Sequence, residues 1–109
     1  MVHPMHRRRE IESLAIHRRI ASMMERNPEA VIGKALGNLH AWMARQDGPC
    51  ADGAFQEWLD FLSQKSPREV ADFIVSDTEE ASRMRQSSPF AGVLSPREVW
   101  AIKRSHEAA

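Results

Sequence analysis

A chain of 109 residues suits one domain, and folding at that size removes roughly two-thirds of the unfolded chain's surface from water. Its 15 Lys and Arg balance 15 Asp and Glu, which argues against a broad electrostatic grip on nucleic acid or an anionic membrane but leaves room for a local basic patch. The single cysteine, Cys50, excludes an internal disulfide framework, and no apolar run approaches the ~20 residues of a spanning helix, so a cytoplasmic protein is expected.

Residues 1–6 read as a frayed tail, with 7–109 as a single helical domain. The opening stretch through Arg7-Arg8-Arg9 is basic but has no hydrophobic region behind it, unlike a signal peptide. From Arg7 to about Arg26 the residues are good helix formers without Gly or Pro. Ile16, Ile20, Met23 and Met24 share one face, while Ile11, Leu14 and Ala15 lie nearly opposite. Either different parts of this helix pack on different neighbours, or one patch is a partner surface.

Asn27-Pro28-Glu29 caps and opens a second helix, and Asp47-Gly48-Pro49 ends it. Val31, Ile32, Ala35, Leu36, Leu39, Trp42 and Met43 fill a broad apolar arc. Opposite them, Ala30, Gly33, Gly37, Ala41 and Ala44 make a stripe of small residues. Each glycine inside a helix costs about 1 kcal/mol against alanine, so compensation by a close neighbour is expected. In one reading the first helix occupies this groove; in the other, Gly33 and Gly37 meet a partner.

Asp52 can cap a third helix to Gln64, whose apolar face is Phe55, Trp58, Leu59 and Leu62. Ser66-Pro67-Arg68-Glu69 is a capping box that opens a short helix bearing Val70, Phe73 and Ile74. Ser76-Asp77-Thr78-Glu79 has the same signature and launches a polar helix with Ala81 and Met84. Ser95-Pro96-Arg97-Glu98 starts the last helix, with Val99, Trp100 and Ile102 able to pack inward. No stretch alternates with a period of two. The expected fold is all-α, a compact bundle of about five to six helices.

The segment before that last helix differs from an ordinary linker. Ser88-Pro89 ends the preceding helix, Phe90, Val93 and Leu94 favour burial, and Gly92 permits a backbone turn. It reads as a loop docked by its own apolar side chains, Phe90 and Leu94 above all. Arg85, Gln86, Ser87 and Arg97 flank it as candidate partner-binding residues. The competing role for Arg85 is to tie the loop to the body by bonding the loop's own carbonyls.

Chemistry-bearing patterns are sparse. His3 and His6 fall in the tail, and His17, His40 and His106 sit on separate helices without ligand spacing, so no metal site is expected. Cys50 lacks a local nucleophile signature, and no phosphate-cradling glycine loop suggests a cofactor. Glu79-Glu80 suits the positive end of a helix dipole. A non-enzyme is expected. Arg7-Arg8-Arg9, Arg18-Arg19, Arg83, Arg85, Lys103 and Arg104 form basic clusters, but nucleic-acid contact is the less favoured reading against a solvated face paired with glutamates. Leu94-Ser95-Pro96-Arg97-Glu98 looks like the opening of a LuxR-type helix-turn-helix, yet too few residues follow for a recognition helix.

The run Arg85-Gln86-Ser87-Ser88-Pro89-Phe90-Ala91-Gly92-Val93-Leu94-Ser95-Pro96-Arg97-Glu98, with Trp100 just after it, resembles a signature of small bacterial antitoxin-like proteins encoded beside toxin genes. The stretch from Leu14 to Trp42, with His17 and Asn38-Leu39, is similar to the same group. The resemblance implies a cytosolic helical protein that binds and masks a toxin enzyme. The alternatives are a small DNA-binding transcriptional regulator and a helical homodimer of structural role.

Overall fold

The computed structural model describes residues 4–45 and 53–107, with side chains from Arg8 to His106. Over these residues it has α1 (Pro4–Arg26), α2 (Pro28–Met43), α3 (Ala54–Gln64), α4 (Pro67–Ile74), α5 (Glu79–Arg85) and α6 (Pro96–Glu107), and no strand. Four of these six helices begin on a proline, whose missing N–H is one the first turn leaves unbonded anyway. The helix expected from Arg7 thus starts at Pro4. Asn27 caps α2, its Oδ1 accepting from the Ala30 N–H at 3.3 Å. Ser66 and Ser95 each form the expected reciprocal box with the glutamate three residues on.

One cap falls two residues later than expected. Thr78, not Ser76, caps α5, with its Oγ1 accepting from the Ala81 N–H at 3.1 Å. Ser76 is still engaged in the end of α4, because its N–H donates to the Phe73 carbonyl at 3.0 Å. α2 ends at Met43, ahead of the expected stop at Asp47-Gly48-Pro49, and the N-cap of α3 is Gly53 rather than Asp52. Residues 46–52, Cys50 among them, and His3 lie outside the described residues, as do the His6 and Arg7 side chains.

The long helix α1 is the spine, packing against α2, α4 and α6, while α3 packs on α2 and α5 on α4. Its Ile20 and Met24 meet Val31, Ala35 and Leu39 of α2 in the core. Trp58 of α3 lies at the centre with no exposed surface, and Val70 and Ile74 of α4 close around the same cluster. Phe61, Phe73 and Phe90 stand edge-on to the Trp58 ring at 5.8, 6.4 and 5.8 Å. Such edge-to-face pairs set the positive ring edge against the negative ring face, adding to the area each aromatic buries.

Two expectations about helix faces are corrected. The small-residue stripe of α2 is not a groove for α1: Ala30, Gly33, Gly37, Ala41 and Ala44 are all exposed, and a Cβ added at Gly33 or Gly37 would meet nothing within 4 Å. The apolar arc on the other side of α2 takes the contacts, so no internal neighbour offsets the two glycines. Trp100 does not pack inward either. Val99 and Ile102 reach the core, but the Trp100 side chain is 60% exposed on the outer face of α6.

Candidate functional site

The segment from Gln86 to Ser95 contains no regular helix, yet α1, α2 and α3 all hold it. Phe90 and Leu94 are 3% and 4% exposed, and Pro89 is fully buried. The Phe90 ring meets His17 of α1 and Trp58 of α3, so burial comes from the spine and the centre of the bundle rather than from the flanking helices alone. The Phe90 carbonyl accepts from the Val93 N–H at 3.2 Å, closing a turn whose third residue, Gly92, has φ of 82°. An L side chain there would be strained, and its Cβ would sit 3.0 Å from the Lys34 side chain.

Polar side chains then bond backbone carbonyls of the loop and of the helix ends around it. Asn38 of α2 donates both hydrogens of its amide, to the Pro89 carbonyl at 2.9 Å and the Ala91 carbonyl at 2.8 Å. The Trp58 indole N–H donates to the Met84 carbonyl at 2.9 Å, at the end of α5. Arg85 Nη1 donates to the Ile74 carbonyl at 3.2 Å and the Ser76 carbonyl at 2.7 Å, tying α5 to the end of α4. The Ile74 carbonyl, at the last residue of α4, is one that a helix itself leaves unbonded.

His17 completes the clamp from α1. A carbonyl can only accept, so Nδ1, 2.7 Å from the Ser13 carbonyl oxygen, carries the ring proton. Nε2 then accepts from the Ser88 hydroxyl at 2.8 Å, and Ser88 Oγ accepts from the Phe90 N–H at 3.4 Å. Burial pushes the imidazole pKa down to about 4, with the Ser13 bond opposing and the Arg85 charge adding to the fall. The ring is therefore neutral at pH 7, as this bonding pattern requires. A Ser–His pair at such a distance resembles the start of a hydrolytic dyad. Here the imidazole is 4% exposed and a weak base, so its evident work is to hold Ser88 and orient the loop.

Beside the clamp, α1 and α5 leave two adjoining cavities of about 400 and 330 Å³, both lined by Glu10, Ser82, Arg85 and Gln86. Ile11 and Leu14, from the second apolar patch of α1, line the larger one. Of the candidate partner-binding residues, Arg85 is 8% exposed with its Nη1 spent on carbonyls at and just after the end of α4, not on those of the docked loop. Gln86 is exposed at the cavity, and Ser87 is half-buried with its hydroxyl 3.4 Å from the Met84 carbonyl. Arg97 is exposed on α6, whereas Gly33 and Gly37 are exposed on α2, away from this cavity. Arg83 is taken up by a two-pronged pair with Glu57, at 2.9 and 2.8 Å.

Along α6, Arg97, Trp100, Ala101 and Arg104 are exposed at helical spacing, and the Lys103 Nζ lies 6.0 Å from the Trp100 ring centroid. Sequence reasoning had not separated this outer face from the core face of the helix. Nor did it assign the carbonyl-binding roles of Asn38 and Trp58. Among the described residues no group of three or more His, Cys, Asp or Glu is placed to hold a metal ion, and no helix is long and apolar enough to cross a membrane. Comparison of the chain with protein-family models, curated proteins and solved structures finds no match.

Proposed function

We propose that this chain is a non-catalytic protein-interaction module, an antitoxin that binds and neutralises a co-encoded toxin enzyme. The observation behind this reading is Trp100: a large aromatic side chain, 60% exposed, on a helix anchored directly after a fully clamped loop. Exposed tryptophan and arginine on a rigid frame are the side chains that most often dominate binding energy, because they bring area and directed hydrogen bonds at little ordering cost. Arg97, one turn before Trp100, supplies the second element. The antitoxin assignment within this class rests on the resemblance of the Arg85–Glu98 run. Co-expression with the product of the adjacent reading frame tests it. The expected result is a stoichiometric complex and relief of growth arrest; a neighbour that neither arrests growth nor binds removes the antitoxin reading.

One observation favours a second reading, a small DNA-binding regulator. Arg97, Lys103 and Arg104 have no ion pair among the described residues, and the Lys103 ammonium lies over the Trp100 ring. A phosphate contact through each would give a log–log salt dependence with slope of about −3, which a mobility-shift titration reads directly.

A further inference from the structure

We propose that the smaller cavity between α1 and α5 is a carboxylate-binding site in which the Nε–Nη2 edge of Arg85 takes both oxygens of the ligand. Arg85 is 8% exposed, and its bonds to the chain run from Nη1 alone, to the Ile74 and Ser76 carbonyls. Nε and Nη2 make none, and they are not sealed in the core: no buried side-chain nitrogen or oxygen among the described residues lacks a partner. Both atoms therefore keep access to solvent, on a residue that lines both cavities. Two backbone carbonyls hold the guanidinium plane fixed, while the edge that matches a carboxylate bidentately stays free.

The surroundings select the ligand's charge and body. Arg9, Ser13 and Gln86 add donors around the cavity of about 330 Å³. Glu10 lines the same space, accepting from the Ser82 hydroxyl at 3.4 Å, and Asp77 and Glu79 line the adjoining one. These carboxylates repel a doubly charged phosphate more strongly than a singly charged carboxylate. Ile11 and Leu14 give the adjoining cavity apolar walls, which suit an organic acid with a short hydrocarbon body. That acid is either a small metabolite-sized molecule or the C-terminus of a polypeptide. No residue of α6 lines either cavity, so the site does not depend on the partner reading above.

The arginine Nε–H gives a resolved nitrogen–proton resonance, which reports on Arg85 directly. The 15N-labelled full chain would be titrated, below neutral pH, with hexanoate and with N-acetyl-Gly-Leu-Phe as the free acid, each beside its carboxamide. Saturable shifts of the Arg85 Nε–H with the acids and none with the amides are expected. Tighter binding of the peptide acid assigns the site to a chain terminus, and tighter binding of hexanoate assigns it to a small molecule. Absence of any shift, or equal shifts with acid and amide, overturns the proposal. Arg85→Lys keeps the charge but not the fork and should weaken binding about tenfold or more. Because that variant also loses the carbonyl bonds, Glu10→Gln serves as a second test that leaves Arg85 in place. Removing the repelling charge should tighten acid binding several-fold, and unchanged or weaker binding counts against the site.

Discussion

The buried imidazole of His17 should make stability depend on pH in a defined window. In the folded chain its pKa is about 4 against 6.5 for an ordinary histidine, because the ring is buried between Ser13, Ser88 and Phe90. The folded pKa is the lower one, so between these values the unfolded chain binds the extra proton. The histidine's contribution is then complete above the unfolded pKa and is lost as pH falls towards the folded one. Integrated across that interval, it is worth about 3 kcal/mol, of which about 2 kcal/mol is gone by pH 5. Glu57, Glu69 and Glu98 also have lowered pKa values, through bonds from Arg83, Ser66 and Ser95, but their share is lost only as pH falls below the ordinary 4.5. Urea melts at a series of pH values, for the natural chain and for His17→Gln, read the histidine's part by difference. A natural chain equally stable at pH 7 and pH 5, or an NMR titration of His17 centred near 6.5, would refute the reasoning.

Further outcomes follow from the clamp and from the open face of α2. Phe90→Ala removes a ring that is 3% exposed and should cost about 3–5 kcal/mol in a denaturant melt. Asn38→Ala leaves the Pro89 and Ala91 carbonyls without their amide partner and should cost about 1–2 kcal/mol, with faster amide exchange at Val93 as the loop loosens. Gly33→Ala and Gly37→Ala should each raise stability, by about 0.5–1 kcal/mol in thermal melts, since the added methyl meets only open space inside a helix.

The class of fold was legible because its signals are local. Asn27, Ser66 and Ser95 act through residues three positions away, so a reader of the sequence sees both partners at once. Burial of Phe90 and Leu94 was legible too, from apolar residues placed where a linker would be polar. What could not be read was what they pack against. His17 and Ser88 are 71 positions apart, and Asn38 and Ala91 are 53 apart, and no local rule connects them. Asn38 does leave one trace, a lone amide between the buried Ala35 and Leu39 on the face of α2. The glycine stripe misled for a different reason. Spacing shows that small residues share a face, but only the fold decides whether another helix reaches it, and α1 lies on the other side. Trp100 shows the same limit: its neighbours Val99 and Ile102 pack inward, and helical rotation by a single residue carries the indole out to solvent.

The partner reading is tested most directly by a binding titration of Trp100→Ala against the product of the adjacent reading frame, with a thermal melt of the free chain alongside. Trp100 is 60% exposed and contributes little to the core, so the melting temperature should stay close to that of the natural chain. Loss of an anchoring tryptophan typically costs 2 kcal/mol or more, so affinity should fall by about 30-fold or more. Unchanged affinity in a chain that melts normally would contradict the account, because the outer face of α6 would then have no part in the complex.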